Sequence, residues 1–280
     1  MLRAVSGLST FAMTRKIPAG GEKSPFGQYP FGAYSMQYGK FASLYDLLMR
    51  GVDYGAWADY VSGFMPPGAF AAECACGTGE ISLRLAKKGF TVTASDISED
   101  MLMRASEKQR GMGVAPQRLR FVRMDMRSLS LHKKADCVIS CCDGVNYLLS
   151  REDVKKFFAA AHANLKPAGL LLFDVSSRYK LEKVLGNGNF SDNGEEAPFI
   201  WTNEYDPQTK LIRMELSFFK KRDGLYERFD ETHIQRAHSL RELGSWLNET
   251  GFEYKAYDCF TREPVKPESE RIQFAAIKKE

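Results

Sequence analysis

The sequence lacks any long uninterrupted apolar run. No stretch approaches the roughly 18 consecutive apolar residues that a membrane-spanning helix needs. Hydrophobic residues make up 44% and charged residues 26% of the 280-residue chain, which is ordinary for a globular protein with enough apolar material for a core. We therefore expect a soluble, cytoplasmic protein, built as one large domain or as a core carrying a smaller one.

The sequence also lacks a strong charge of either sign outside its first residues. The formal net charge is +4, and residues 1–35 contribute +3 of it because four basic residues face a single glutamate there. The remaining chain is close to neutral, so no global basic field favours nucleic-acid binding. An RNA substrate would still need only a local basic patch.

A disulfide scaffold is a third missing feature. The six cysteines lack the even, loop-spaced pattern of a secreted disulfide framework. The Cys-x-Cys and Cys-Cys spacings place successive side chains on opposite faces of a strand, so we do not expect the thiols to converge on one metal ion. The sequence predicts reduced, buried thiols and no metal site. The cysteines are Cys74, Cys76, Cys137, Cys141, Cys142 and Cys259.

Residues 1–35 show no sustained periodicity and are rich in Gly, Pro and Ser. They contain no apolar stretch suited to a secretory signal, although their basic, acid-poor character also fits an organelle transit peptide. We interpret them as a disordered extension. An upstream start codon would explain such an extension, because Met36 directly precedes the first patterned segment.

Helical and strand-like patterns alternate along the next part of the chain. Apolar residues recur at helical spacing in Phe41, Leu44, Tyr45 and Leu48, and a second helix is predicted around Trp57. Five strands separated by helices then predict a mostly parallel sheet with helices on both faces, and Ser98 and Ser150 have the positions of helix caps. The predicted strands are 70–75, 90–95, 119–124, 135–140 and 170–175.

The pattern changes to an antiparallel one after the fifth strand. Residues 180–197 are interpreted as a loop, and three alternating segments joined by hairpin turns follow. They predict an antiparallel sheet of about three strands within 181–236, lying over a core formed by 36–180 and 237–280. Ser239 caps a further helix. The three alternating segments are 199–205, 211–220 and 226–236, and two final strands, 252–260 and 271–277, are predicted to return to the main sheet.

The segment Glu73-Cys74-Ala75-Cys76-Gly77-Thr78-Gly79 joins the first predicted strand to its helix. Glycines let a backbone approach a ligand closely, and a helix N-terminus offers free N–H groups. Seventeen residues beyond Gly79, at the end of the second strand, Asp96 is placed to accept both ribose hydroxyls of a nucleoside. The pattern therefore predicts a nucleoside-binding site.

Two residues distinguish between possible nucleosides. A dinucleotide fingerprint needs a third small residue, Gly or Ala, where this chain has Ser82. Glu73 is an acid directly before the loop, which would repel a pyrophosphate but attract the cationic amino and sulfonium groups of S-adenosylmethionine. These residues favour the sulfonium cofactor over NAD.

Glu73–Gly79 resembles motif I of the class I S-adenosylmethionine-dependent methyltransferases. Asp96 matches the ribose-binding acid of that family, and segments 124–127, 142–148 and 162–169 resemble its later motifs. The opening 45–49 and the hairpin insertion resemble a bacterial subgroup with small substrates. The resemblance implies an α/β, Rossmann-like, mostly parallel sheet with helices on both faces and a small antiparallel β lid inserted after the fifth strand. Departures are Cys74 for an aliphatic residue, Gly144 for Ser and Ala168 for Gly.

The resemblance also implies the site. Asp125 is implied to receive the adenine amino group, although it could instead hold Arg127. Trp201 and His233 lie near the predicted lid, where an aromatic pocket could orient an acceptor or stack on a base, but most residues of this group are interpreted as core of the inward face of the antiparallel sheet. The implied cofactor-binding residues are Tyr45, Glu73, Ala75, Gly77, Gly79, Asp96, Ile97, Met101, Asp125, Met126 and Cys141, and the residues that could orient an acceptor are Asp143, Asn146 and Tyr147.

The function implied is methyl transfer from S-adenosylmethionine to a nitrogen or oxygen atom of a small molecule, by in-line displacement. A general base is optional, because the need for one depends on the pKa of the acceptor. Two alternatives stay open: an RNA methyltransferase with a basic strip beside its pocket, and a non-catalytic protein that binds S-adenosylmethionine.

Overall fold

The computed structural model of the chain describes residues 42, 45–47, 49–195 and 198–279. The predictions for the extension 1–35, and for a helix through Phe41, Leu44 and Leu48, lie outside these residues. Tyr45, Asp46 and Leu47 are helical. Within the described residues, no helix combines the length and the apolar character needed to cross a membrane.

The described residues form eleven strands and five α-helices. The strands are β1 (Phe70–Cys74), β2 (Thr91–Asp96), β3 (Leu119–Arg123), β4 (Ala135–Ser140), β5 (Leu165–Ser176), β6 (Asn189–Asp192), β7 (Phe199–Asp206), β8 (Leu211–Arg222), β9 (Leu225–Arg236), β10 (Phe252–Asp258) and β11 (Arg271–Lys278). The helices are α1 (Tyr54–Ser62), α2 (Glu80–Lys87), α3 (Glu99–Gly111), α4 (Arg151–Asn164) and α5 (Leu240–Glu249).

Seven strands form the main sheet in the order β10-β11-β5-β4-β1-β2-β3. Strands β1 to β5 pair in parallel, and β11 is antiparallel to both of its neighbours, β5 and β10. The prediction of a mostly parallel sheet, to which the last two strands return, is confirmed. Because β1 lies between β2 and β4, the loops that follow these three strands meet at one edge of the sheet, where open α/β sheets bind ligands.

Helices cover both faces of this sheet, as predicted. Buried side chains of α4 and α5, such as Phe157 and Trp246, pack on one face. Those of α1 and α2, such as Trp57 and Leu83, pack on the other. The predicted caps are confirmed, because the side chains of Ser98, Ser150 and Ser239 each accept a hydrogen bond from the backbone N–H three residues later.

The second sheet is antiparallel and has four strands in the order β6-β7-β8-β9, where about three were predicted. The loop prediction for 180–197 was wrong in part, since Lys180–Leu185 form a short π-helix and Asn189–Asp192 form β6. The π-helix is held by the buried side chains of Leu181 and Leu185. Only pairing with β7 defines β6, since this four-residue edge strand has a single apolar residue, Phe190, and so gives no apolar alternation in the sequence.

The inner face of the second sheet forms a third hydrophobic cluster. Met214 of β8 and Trp201 of β7 pack there with Met101 of α3, Leu181 of the π-helix and Ala42. Since Met101 lies in the first turn of the helix that follows Asp96, this cluster places the second sheet beside the edge of the main sheet described above.

Candidate functional site

The loop after β1 turns through three left-handed residues, Ala75, Gly77 and Gly79, with φ values of 53°, 53° and 77°. The two glycines differ in the space around the position that a Cβ would take. A Cβ on Gly79 would lie 2.7 Å from Cζ of Phe121, so packing excludes a side chain there. Apart from the two residues adjacent in the chain, no described residue has an atom within 4 Å of a Cβ placed on Gly77. The backbone at Gly77 is therefore open to a ligand.

Asp96 lies at the end of β2 and holds this loop in place. Its Oδ2 accepts a hydrogen bond of 2.8 Å from the N–H of Gly77, and its Oδ1 accepts one of 2.9 Å from the N–H of Ser98. Burial raises the pKa of the Asp96 carboxyl, and the two backbone donors oppose that rise. A carboxylate oxygen has two lone pairs, so each oxygen can accept a further bond from a ligand hydroxyl. Ile97, which follows, is 52% exposed.

Glu73 lies under the loop with 2% of its surface exposed. Its carboxyl accepts a hydrogen bond from the hydroxyl of Ser82, which is fully buried in α2. Burial raises the pKa of Glu73 to about 7, and the bonds from Ser82 oppose the rise. Glu73 and Ser82, which separately argued against a dinucleotide in the sequence, are thus one buried pair.

The loop after β4 is fixed by a buried ion-pair network. Cys142 and Asp143 are left-handed, and their N–H groups donate to the two carboxylate oxygens of Asp174 at 2.7 and 3.0 Å. Arg271 of β11 pairs with Asp174 and, at 2.8 Å, with Asp143. A Cβ on Gly144 would lie 2.8 Å from Oγ of Ser140, which explains glycine where the family commonly has Ser.

Asn146 and Tyr147 have different surroundings in the next turn. The amide of Asn146 is fully buried, donates to the carbonyls of Ser176 and Arg236, and accepts from the N–H of Ser176. It therefore ties the main sheet to β9. Tyr147 is 39% exposed, and its Oη lies 3.2 Å from Nδ1 of His233.

The carboxylate of Asp125 is bonded to Arg127, the alternative role that the sequence left open. The guanidinium of Arg127 donates to both of its oxygens, and this pairing holds the pKa of Asp125 below its ordinary value. Arg127 also bonds Asp153 of α4. Met126, the next residue, is buried in the core cluster on the α4 and α5 face.

The residues before α1 reach the glycine loop through Asp46. Oδ1 of Asp46 accepts a hydrogen bond of 2.7 Å from the hydroxyl of Thr78 and pairs at 2.8 Å with Nζ of Lys108. Lys108 also pairs with Glu80, at 2.7 Å. Burial raises the pKa of the neighbouring Tyr45 well above its ordinary value. Sequence reasoning passed over Asp46, because no local spacing connects it to Thr78.

The structure thus brings most of the sequence-predicted residues to one edge of the main sheet. Ala75 and Gly77 lie in the loop after β1, Asp96 is the last residue of β2, and Cys141 and Asp143 lie in the loop after β4. Met101 and Met126 are buried, in two separate hydrophobic clusters. The six cysteines are free thiols, and no cluster of metal-ligating side chains occurs among the described residues.

Comparison with known proteins shows the family to which the chain belongs. Residues 71–169 match the family described as a methyltransferase domain. Over 245 residues the chain is 38% identical to YqeM of Bacillus subtilis (strain 168), which is named as a methyltransferase, and the match covers 87% of this chain and 98% of that protein. The crystal structure of an S-adenosylmethionine-dependent methyltransferase from Clostridium acetobutylicum ATCC 824 is 32% identical, with a TM-score of 0.78 over 87% of this chain and 99% of that one.

The chain belongs to the S-adenosylmethionine-dependent methyltransferases. Its cofactor is S-adenosylmethionine. More distant relatives match only part of the chain. A glycine/sarcosine N-methyltransferase from Halorhodospira halochloris is 35% identical over 36% of this chain and 38% of that protein. A dTDP-3-amino-3,4,6-trideoxy-alpha-D-glucopyranose N,N-dimethyltransferase from Streptomyces venezuelae is 30% identical over 48% and 56%.

Proposed function

We propose that this methyltransferase acts on a nitrogen or oxygen atom of a small molecule bound between the edge of the main sheet and the inner face of the second sheet. One observation carries the proposal, namely that β9 contacts the loop after β4. Nε2 of Gln235 donates a 2.7 Å hydrogen bond to Oδ2 of Asp143, and His233 lies against Tyr147. Because β9 is bonded to the loop after β4, the second sheet is a lid over the cofactor edge, and an acceptor must lie between the two.

The cofactor-binding residues are proposed from the same geometry. Gly77 leaves its backbone open, Asp96 accepts the ribose hydroxyls, and the exposed face of Ile97 covers the adenine ring. Asp46 accepts a hydrogen bond from Thr78 and so helps to fix the glycine loop between β1 and α2. S-Adenosylmethionine supplies a sulfonium-bound methyl group that a nitrogen or oxygen lone pair displaces in line.

The chain's own contribution is to orient the acceptor and exclude water. Asp143 and Tyr147 lie at the junction of the two sheets, where an acceptor would meet them. Asn146 acts as a positioning residue, because its amide is used by backbone groups. Holding donor and acceptor in a dry, aligned arrangement supplies most of the rate enhancement in such reactions.

The names of the partial relatives support a small acceptor, since they act on glycine, sarcosine and a nucleotide-linked amino sugar. Electrostatics argues in the same direction. The carboxylate of Asp96 lies at the cofactor edge, and Glu231 of β9 is on the inner face of the lid. Carboxylates at this position would repel the phosphates of an RNA substrate.

Calorimetry tests the cofactor assignment. We expect S-adenosylmethionine and S-adenosylhomocysteine to bind and NAD not to bind. Asp96→Ala should weaken both sulfur nucleosides at least about tenfold, because a carboxylate that accepts hydroxyls is lost. Glu99→Ala is the matched control, since its carboxylate lies nearby on the surface with Arg123. Binding of NAD alone, or equal loss in both variants, would contradict the assignment.

Transfer of a labelled methyl group tests the acceptor class. The enzyme is incubated with labelled S-adenosylmethionine and either the small-molecule filtrate or the RNA fraction of a bacterial extract. We expect label to enter the small-molecule fraction. Label confined to RNA would refute the proposal and leave the cofactor assignment intact.

A further inference from the structure

The inner face of β9 presents polar side chains at every second residue along the junction between the sheets. Gln235 bonds Asp143, and His233 lies against Tyr147. The next inward residue is Glu231, which is 9% exposed and makes no hydrogen bond or ion pair with any described residue. Glu231 thus follows Gln235 and His233 on the inner face of β9, but unlike them it has no polar partner in the described part of the chain.

A buried carboxyl without a partner is costly, because burial removes its water without replacing the lost hydrogen bonds. That loss raises the pKa of Glu231 to about 7. The cross-strand neighbour of Glu231 on β8 is Leu216, which offers no side-chain donor. Folded proteins seldom leave such a group unsatisfied unless something outside the chain satisfies it.

A second set of unpartnered groups lies on the same face, across β8. Asn203 of β7 is 2% exposed, and neither its amide nitrogen nor its amide oxygen has a hydrogen-bond partner. The indole nitrogen of Trp201 is likewise buried and unpartnered. The register places Trp201, Leu216 and Glu231 in one row. Asn203, Met214 and His233 occupy the next row.

These two observations point to one ligand chemistry. A carboxylate complements an ammonium or amine N–H. An amide and an indole N–H complement hydroxyl or carbonyl groups a few ångströms away, and the aromatic face of Trp201 also attracts a cation. A phosphate or carboxylate ligand would be repelled by Glu231, and the described residues offer no ligand set for a metal ion.

We propose that Glu231, Asn203 and Trp201 form the acceptor-recognition subsite, and that the acceptor is a small polar amine whose amino group binds Glu231 while its hydroxyl or carbonyl groups bind Asn203 and Trp201. This inference rests on the proposed function, because it takes the space beneath the second sheet to be the acceptor site. The inner face of the lid is then a specificity surface as well as a core.

Ligand-observed saturation-transfer NMR on the S-adenosylhomocysteine complex tests the subsite. The probes are matched pairs that differ in one amino group: glucosamine and glucose, ethanolamine and ethylene glycol, tyramine and 2-(4-hydroxyphenyl)ethanol. We expect at least one amine to bind about tenfold more tightly than its alcohol partner. Glu231→Gln should abolish that preference. Asp230→Asn is the matched control, because Asp230 is the adjacent, 61% exposed carboxylate on the outer face of the same strand.

The outcomes separate this inference from the proposed function. Calorimetry with S-adenosylhomocysteine is run on both variants, and unchanged affinity shows that the fold and the cofactor site are intact. If no amine exceeds its alcohol partner, or if Glu231→Gln retains the preference, the amine subsite is refuted while cofactor binding stands. If S-adenosylhomocysteine fails to bind the unmodified enzyme, the proposed function itself fails.

Discussion

The side-chain hydroxyl of Ser82 donates a hydrogen bond to the buried carboxyl group of Glu73. Ser82 occupies the position at which a dinucleotide fingerprint needs a small residue so that helix and strand can pack closely. Here a polar pair takes that place, joining α2 to β1 beneath the glycine loop. This hydrogen bond accounts for the presence of both Glu73 and Ser82. It also leaves a buried acid whose charge depends on pH near neutrality.

That acid predicts a pH-dependent stability. Folding raises the pKa of Glu73 from 4.5 to about 7, so the folded state binds the proton more tightly than the unfolded state. The tighter binding of this proton stabilises the folded state in full below pH 4.5, and this stabilisation is lost as pH rises through 7. The loss amounts to about 3 kcal/mol of unfolding free energy. Glu73→Gln should abolish this fall in unfolding free energy with rising pH. Urea unfolding between pH 4.5 and 8 measures the free energy of unfolding, with the exposed Glu99→Gln as control. Parallel pH profiles for Glu73→Gln and the unmodified enzyme would contradict the assignment.

The two loop glycines should separate stability from binding. Gly79→Ala places a methyl group 2.7 Å from Phe121 in a left-handed backbone, and we expect a loss of about 2–4 kcal/mol in unfolding free energy. Gly77→Ala meets no described atom beyond its chain neighbours and should cost only about 1 kcal/mol, yet weaken S-adenosylhomocysteine binding. Chemical denaturation and calorimetry give the two readouts. Equal effects of both changes on both readouts would refute the distinction.

Asp46 should affect the cofactor loop more than the overall stability. Its side chain is partly exposed, so Asp46→Ala should cost no more than about 1 kcal/mol of unfolding free energy. Because Thr78 loses its anchor, we expect weaker S-adenosylhomocysteine binding and faster amide exchange in residues 76–80. Asp59→Ala removes an exposed ion pair with Lys88 and is the control. Unchanged exchange in the Asp46 variant would show that the contact is incidental.

Arg271 should be a stability residue whose loss is relieved by a second change. It pairs with Asp143 and with the fully buried Asp174. Arg271→Met leaves these carboxylates uncompensated, and about 3–5 kcal/mol of unfolding free energy should be lost. Adding Asp174→Asn should restore part of it, because one buried charge is removed. Thermal and urea unfolding measure the stability of the single and double variants. Additive losses of unfolding free energy in the double variant would contradict the coupling of Arg271 to Asp174.

The cofactor edge could be read from the sequence because its signals are local. Asp96, the cap Ser98 and the glycines from Gly77 to Gly79 all lie within one strand–loop–helix–strand unit, where spacing fixes the geometry. The same reasoning missed β6, which only pairing with β7 defines. It also left Asp125 undecided between a ligand and Arg127, because a short spacing permits either.

The sequence by itself determined the alternation of strands and helices, the caps and the nucleoside loop, since these depend on periodicity and on residues close in the chain. Only the tertiary structure decided the pairing of Arg271 with Asp143, the contact of Asp46 with Thr78, and the row of Glu231 facing Trp201 across β8. These groups are distant in sequence. Their meeting depends on strand order and register, which no local pattern encodes.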